Sequence, residues 1–256
     1  MDLHLLSHRL LTYTSEMTDE KHANDLTRWA KSGKEGTPPV PAATVIVIRD
    51  GTNELECLML RRNSKIAFGG MWVFPGGRVD PEDQQEGEEL SGLETARCAA
   101  TREAKEEAQL ALETSELLTF SHWTPPPITP KRFITWFFIA SAQDAEVVID
   151  GGEIHEHDWK SPALALQQRD AGEIELAPPT WITLHELSQW STVKEAMDQV
   201  GRRDPEHFET RIYVSEKGPS ALWKGDAGWP EGNGDAPGSR HRLNMHKGRW
   251  EYERHS

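Results

Sequence analysis

Three glutamates share one face of a predicted helix. Glu103, Glu106 and Glu107 lie three and four residues apart, and this spacing places side chains side by side on an α-helix. Three like charges at such spacing repel one another unless a cation neutralises them. Mg²⁺ and Mn²⁺ prefer carboxylate oxygens and bind phosphate groups jointly with a protein. The spacing therefore indicates a divalent-cation site, and a solvated acidic face, which is common on exposed helices, is the alternative.

The helix that carries these glutamates is predicted over Leu93 to Leu112, a stretch with no glycine or proline. Its opposite face consists of small apolar residues at helical spacing, which allow close packing against the rest of the fold. These residues are Leu93, Ala96, Ala99, Ala104 and Ala108. The acidic face must then border a cleft or open solvent.

A short strand and a glycine pair precede the helix. The strand Trp72 to Phe74 stops at Pro75-Gly76-Gly77, and an acidic loop, Asp80 to Gly92, follows it. Adjacent glycines let the backbone approach a ligand, and their amides can face phosphate oxygens. Arg102, which directly precedes the first glutamate, is placed to orient an acidic neighbour.

Together these residues resemble the Nudix box, the signature of the Nudix hydrolase superfamily. The match consists of Gly77, Glu94 and the run from Arg102 to Leu110, with the REUxEE core intact (U is an aliphatic residue). The chain departs from the pattern twice. Sixteen residues separate Gly77 from Glu94, against five in the short form, and Gln109 replaces a glycine that usually permits a left-handed turn at the helix end.

The resemblance implies an activity and a site. Nudix enzymes use Mg²⁺ or Mn²⁺ to hydrolyse a nucleoside diphosphate linked to another group. Carried over to this sequence, Glu103 and Glu107 would be metal ligands, and Glu106 a further ligand or the base that activates water. Gly77 would give a backbone carbonyl to the metal, and Arg102 would orient the glutamates.

The insertion and several flanking runs resemble the Nudix branch that contains the organellar coenzyme A diphosphatase. The runs are Leu58 to Ser64, Trp72 to Asp83, His122-Trp123, Arg132-Phe133, Gly152-Glu153 with Glu156 and Trp159, Leu222 to Asp226, and Arg240 to Arg242. The implied substrate is coenzyme A, an acyl-CoA or a related nucleotide derivative. ADP-ribose, a dinucleotide or a nucleoside triphosphate is the alternative, and a non-catalytic nucleotide-binding module is a third possibility.

Further candidate site residues lie outside the box. Glu153 and Glu156 follow a glycine turn and are either an added ligand or base, or a polar strand edge. Four cations could bind phosphate groups of the substrate, or they could be ordinary surface charge: Arg61, Arg62, Lys65 and Arg132. Four aromatic residues could stack on a base or pack in the core: Trp123, Phe133, Trp136 and Phe137.

Composition limits the classes of function. The chain has 256 residues and a net charge of −14, which disfavours binding of nucleic acid through its phosphates. The partner is therefore expected to be a small nucleotide substrate, and a homodimer is possible. Cys57 and Cys98 do not form a C-x-x-C pair, so a zinc ribbon or disulfide framework is not expected and a cytoplasmic location is the default. No apolar run approaches the roughly 18 residues needed to span a membrane.

The element order predicts an α+β fold. Strands, one helix, more strands and then helices are typical of a mixed sheet between helices, and the resemblance implies an αβα sandwich with a helical and small β C-terminal extension. We predict a polar tail over residues 1–40, a Nudix domain over 41–205 and a β-rich extension over 206–256. Strands are also predicted at Ala145 to Ile149 and at Leu243 to Tyr252.

Overall fold

A computed structural model of the chain describes residues 24–63, 70–143 and 145–255. The helices are α1 over 24–32, α2 Leu93–Ala108, α3 Pro162–Asp170, α4 Pro178–Leu187 and α5 Val193–Gly201. The strands are β1 Val40–Asp50, β2 Leu55–Arg62, β3 Trp72–Val73, β4 Gly76–Arg78, β5 Leu118–Thr124, β6 Phe133–Ser141, β7 Ile154–Lys160, β8 Glu206–Glu209, β9 Arg211–Ser215, β10 Gly218–Leu222, β11 Arg240–Met245 and β12 Trp250–His255. Two 3-10 turns lie at Pro81–Asp83 and Thr114–Glu116.

The main sheet is mixed. Its strand order is β3-β2-β1-β6-β5-β8, with β4 also paired to β1 and β7 to β2. The pairs β1–β6 and β5–β8 are parallel, and the remaining pairs are antiparallel. Strands β1 and β2 form a hairpin, and Gly51 N donates to Glu54 O across its turn at 3.0 Å. Strands β9 to β12 form a second, antiparallel sheet.

Helix α2 covers one face of the main sheet with its small residues. Its alanines pack against valines and leucines of β1 and β2 in one hydrophobic cluster, and Ala99, Ala100 and Ala104 are fully buried there. Because an alanine side chain extends so little, the helix axis lies close to the sheet. The opposite face of α2, with the three glutamates, is held beside β4 at the edge of the cluster.

Helices α3 to α5 and the second sheet cover the other face. Residues of α4 and α5 pack with β1, β2, β5 and the aromatic residues of the second sheet in the larger hydrophobic cluster. Trp223 on the segment after β10 is fully buried, and Trp123 stacks on Phe208 with ring centroids 3.9 Å apart. The mixed sheet between two helical layers confirms the predicted α+β fold, and the extra C-terminal sheet is present.

The structure corrects several boundaries. The stretch predicted as a polar tail includes α1, and Leu26 of α1 is buried in the larger cluster. Residues 145–149 are not a strand, and the predicted strand at 243–252 is a hairpin of β11 and β12. Glu206–Glu209 pairs in parallel with β5, so it belongs to the main sheet although the predicted division assigns it to the extension.

The end of α2 keeps a left-handed turn without glycine. Gln109 has φ 55°, and its backbone N–H still bonds to Lys105 O at 3.0 Å. The next N–H, of Leu110, bonds to Ala104 O, and the Leu110 side chain is buried. Burial of Leu110 and two backbone hydrogen bonds therefore hold Gln109 in a conformation that costs a non-glycine residue roughly 1 kcal/mol.

Candidate active site

The glycine pair of β4 lies against the acidic face of α2. Thr44↔Gly76 and Ala43↔Gly77 are ladder partners in the β1–β4 pairing, which fixes the glycines at the sheet edge. A Cβ atom on Gly77 would lie only 2.4 Å from Glu103 Oε1. Glycine is therefore required here so that the Glu103 carboxylate can approach the backbone.

Glu107 joins the helix to this turn. Its side chain is 5% exposed, and Glu107 Oε2 accepts a hydrogen bond from Gly76 N at 2.9 Å. Burial raises the pKa of Glu107 to about 8, while the Gly76 N–H and the Arg62 guanidinium act in the opposite direction. Glu103 and Glu153 raise this pKa further by charge repulsion, which shows that the three carboxylates share one region.

Glu103 is half-buried and Glu106 is exposed. Burial raises the pKa of Glu103, partly offset by Arg102. One guanidinium nitrogen of Arg102, Nη1, lies 3.0 Å from both Glu103 Oε1 and Glu106 Oε2. The sequence places Arg102 as an orienting residue, and the structure places it in contact with two of the three glutamates.

Arg102 also anchors the acidic loop. It makes a bidentate pair with Asp83, with both N–O distances 2.9 Å, and donates to Arg78 O at 2.9 Å. These bonds raise the pKa of Arg102 further above its already high value. Sequence reasoning missed Asp83, since nothing distinguishes it from its acidic neighbours except its place in a Pro-Glu-Asp turn.

Arg62, at the end of β2, contacts the carboxylates of Glu107 and Glu153. Its Nη2 donates to Glu153 Oε2 at 2.7 Å, and its Nη1 lies 3.3 Å from Gly76 O and 3.5 Å from Glu107 Oε1. The structure thus brings Glu153, which the sequence leaves open as a ligand or base, beside the glutamates of α2.

A cavity of about 1090 Å³ opens beside these groups. Its acidic end is lined by Asp80, Glu103, Glu106, Glu107, Asp150 and Glu153. Cations on its wall are Arg62, Arg78, Arg102 and Lys131. Apolar residues that line it come from α1, the main sheet and the C-terminal sheet: Leu26, Trp29, Trp123, Phe133, Phe137, Ile212 and Trp223. Sequence reasoning missed the walls from α1 and the C-terminal sheet, because neither carries a recognisable motif.

The donor atoms suit a hard divalent cation. Carboxylates and backbone carbonyls are the oxygen donors that Mg²⁺ and Mn²⁺ prefer, and burial raises the pKa of both Glu103 and Glu107. Within the described ranges, no three His, Cys, Asp or Glu side chains already surround one point. The guanidinium groups of Arg62 and Arg102 instead lie between the carboxylates.

Other predicted site residues lie elsewhere. Arg61 pairs with Glu156 at 3.2 Å on the exposed side of β2 and β7, and neither residue lines the cavity. Arg132 donates to Pro125 O at 3.2 Å and does not line the cavity, although its neighbours Lys131 and Phe133 do. Lys65 lies outside the described residues.

The predicted base-stacking aromatic residues divide between the two faces of the sheet. Trp123, Phe133 and Phe137 line the cavity. Trp136 points to the α2 side, where its ring nitrogen contacts Ser91 O at 3.4 Å and its ring centroid lies 4.1 Å from that of His122. The first three remain candidates for contact with a bound base.

Comparison with known proteins identifies one family. The NUDIX domain model matches residues 38–207. A Caenorhabditis elegans protein provisionally named nudix hydrolase 7 is 28% identical over 192 residues, which is 60% of this chain and 61% of that protein. The chain thus spans about three fifths of the length of this curated relative.

A solved structure shows the same fold. A NUDIX hydrolase from Alicyclobacillus acidocaldarius superposes with a TM-score of 0.57 at 25% identity, over 63% of this chain and 96% of the other. The NUDIX domain of Shewanella oneidensis NrtR, solved with ADP ribose, gives a TM-score of 0.45 at 18% identity over 60% and 88% of the two chains. None of the helices within the described ranges is long and apolar enough to cross a membrane.

Proposed function

The chain belongs to the NUDIX family, and from that premise we propose that it is a metal-dependent hydrolase of a diphosphate linkage in coenzyme A, an acyl-CoA or a related nucleoside diphosphate derivative. The observation that carries this proposal is the placement of Glu103 and Glu107 against the Gly76-Gly77 turn, at the acidic end of a large cavity.

The side chains at the acidic end divide into two roles. Glu103, Glu107 and the Gly77 carbonyl would hold Mg²⁺ or Mn²⁺, which when bound neutralises the diphosphate and polarises the phosphorus centre. Arg102 fixes Glu103 and Glu106 in position through hydrogen bonds of 3.0 Å. Asp83 in turn fixes Arg102.

Glu106 is the base in our preferred assignment. It is the most exposed of the three helix glutamates and therefore the most accessible to a water molecule. Its carboxylate would accept the proton as the water oxygen bonds to phosphorus and the bridging P–O bond breaks. Glu153, on the opposite side of the cleft beside Arg62, is the other candidate for a further ligand or the base.

Cavity size and composition support the choice of substrate. Ligand pockets commonly measure about 300–1,000 Å³, so about 1090 Å³ accommodates a ligand larger than a simple nucleotide. Coenzyme A combines a nucleotide with a long, weakly polar arm. The acidic end, with Arg62 and Arg102 beside its carboxylates, suits the diphosphate. The apolar wall from α1 and the C-terminal sheet suits the arm.

Product analysis tests the proposal. Purified protein with Mg²⁺ is incubated separately with coenzyme A, ADP-ribose and a nucleoside triphosphate, and the products are separated by chromatography. We expect 3′,5′-ADP and phosphopantetheine from coenzyme A, lost in Glu107→Gln and retained in Glu113→Gln, an exposed glutamate outside the cavity. Turnover of only the other substrates would refute the coenzyme A assignment. No turnover with Mg²⁺ or Mn²⁺ would favour a non-catalytic binding module.

A further inference from the structure

Arg62 bridges groups that lie on three separate parts of the cleft. Its guanidinium contacts Glu107 on α2, Glu153 before β7 and the Gly76 carbonyl on β4, at 3.5, 2.7 and 3.3 Å. An arginine that is ordinary surface charge at the end of a strand would pair with one carboxylate at most. Arg62 instead lies where oxygen atoms from all three elements converge.

The environment of Arg62 is largely closed to solvent. The side chain is 15% exposed, and Glu107 is 5% exposed. Arg62 Nε is buried and finds no hydrogen-bond partner in the part of the chain that the structure describes. A buried N–H without a hydrogen-bond partner costs free energy. This cost makes a second position of the guanidinium energetically accessible.

We propose that Arg62 is the resident counter-cation of the cleft and a positioning residue for catalysis. In the metal-free protein its guanidinium bridges Glu107 and Glu153. In the loaded protein Arg62 leaves these carboxylates and turns into the cavity, where its planar fork is suited to the oxygens of the substrate diphosphate.

Electrostatics favours this exchange. A divalent cation bound to Glu107 would lie close to the Arg62 guanidinium, and repulsion between the two positive charges would weaken the 3.5 Å contact of Arg62 with Glu107. Arg62 therefore competes with the cation for Glu107. The competition lowers metal affinity, and when no metal is bound the guanidinium stays bonded to Glu153 and in contact with Glu107. The inference rests on the proposed function, because it assumes that the cleft binds a metal.

Metal binding in arginine variants tests this role without reference to activity. Mn²⁺ affinity is measured by titration calorimetry for the wild-type protein, Arg62→Met, Arg62→Lys and Arg61→Met. Arg61 is the matched control, because it is the adjacent arginine on β2 but pairs with Glu156 outside the cavity. We expect Arg62→Met to bind Mn²⁺ at least tenfold more tightly, while Arg62→Lys and Arg61→Met stay within about threefold of the wild type.

The outcomes separate this inference from the proposed function. Mn²⁺ binding by the wild-type protein with unchanged or weaker binding by a folded Arg62→Met variant would overturn only the role of Arg62. Absence of Mn²⁺ binding by the wild-type protein would overturn both.

A second measurement uses the wild-type protein alone, in case Arg62→Met does not fold. Phenylglyoxal modification of arginines is followed by mass spectrometry of peptides with and without saturating Mg²⁺. Released from its carboxylates, Arg62 should react at least threefold faster with Mg²⁺ present, and Arg61 should not change. Equal or slower modification of Arg62 in the presence of Mg²⁺ would contradict the exchange.

Discussion

Glu107→Gln should stabilise the metal-free protein while it removes activity. Burial raises the pKa of the Glu107 carboxyl from 4.5 to about 8. Between these values the unfolded chain has lost its proton and the native state keeps it. Each pH unit in this interval therefore costs the native state about 1.4 kcal/mol, and the accumulated cost at pH 7 is about 3 kcal/mol. Glutamine carries no such cost and keeps an oxygen that can accept from Gly76 N.

The predicted stabilisation depends on pH in a defined direction. Below pH 4.5 both states of the wild-type protein hold the proton, so the advantage of glutamine vanishes. It should be less than about 1 kcal/mol at pH 5 and should rise to about 3 kcal/mol at pH 7. Urea denaturation followed by tryptophan fluorescence in EDTA, at half-unit steps between pH 5 and 8, measures the difference.

Divalent cation should reverse the order of stability. A ligand that binds only the native state stabilises it by about 4.1 kcal/mol at one thousand times its dissociation constant. This exceeds the advantage of about 3 kcal/mol that glutamine has at pH 7, and Glu107→Gln removes a ligand. The control is Glu106→Gln, because Glu106 is 59% exposed and does not contact Gly76. Its effect should stay within about 1 kcal/mol at every pH in EDTA. A Glu107→Gln protein that is less stable than wild type at pH 7 in EDTA, or a difference that does not change with pH, would refute the reasoning.

Three further predictions concern residues that position the site or stabilise the fold. Gly77→Ala should reduce hydrolysis at least tenfold, because its Cβ would lie 2.4 Å from Glu103 Oε1 and displace that carboxylate. Since the carboxylate can move away, the free energy of unfolding in urea should change by less than about 1 kcal/mol. Arg102→Met should free the acidic loop, detected as faster hydrogen exchange over residues 80–92 with α2 unchanged; equal exchange would contradict this. Asp226→Asn should cost about 3–5 kcal/mol in urea, because it breaks a buried bidentate pair with Arg242; a loss under 1 kcal/mol would show that the pair is unimportant.

Much of the local structure could be predicted from the sequence because its causes are local. Ser161 and Thr192 cap α3 and α5, because their side chains accept hydrogen bonds from the N–H groups of Leu164 and Glu195. The small and acidic faces of α2 follow from residue spacing alone. The β1–β2 turn follows from its Asp-Gly pair. In each case the deciding interaction joins residues at most a few positions apart.

Local rules failed where distant contacts outweighed them. Gln109 was expected to disturb the end of α2, yet it takes the left-handed conformation because Leu110 must be buried. Residues 145–149 have the composition of a strand, but β2 pairs instead with the following segment, from Ile154 onward. Leu26 lies in a polar stretch and is nevertheless part of the core.

By itself, the sequence determined which residues are candidates for the chemistry, because the glutamates, the glycine pair and Arg102 have fixed spacing along one strand, loop and helix. Only the tertiary structure decided which groups surround these residues. The partners Asp83 and Arg62 are 19 and 45 residues from the groups that they hold. The cavity wall combines α1 with the C-terminal sheet, and Arg61 is separated from Arg62 by the alternation of a strand. These features depend on how distant segments pack, and no short-range sequence pattern specifies that packing.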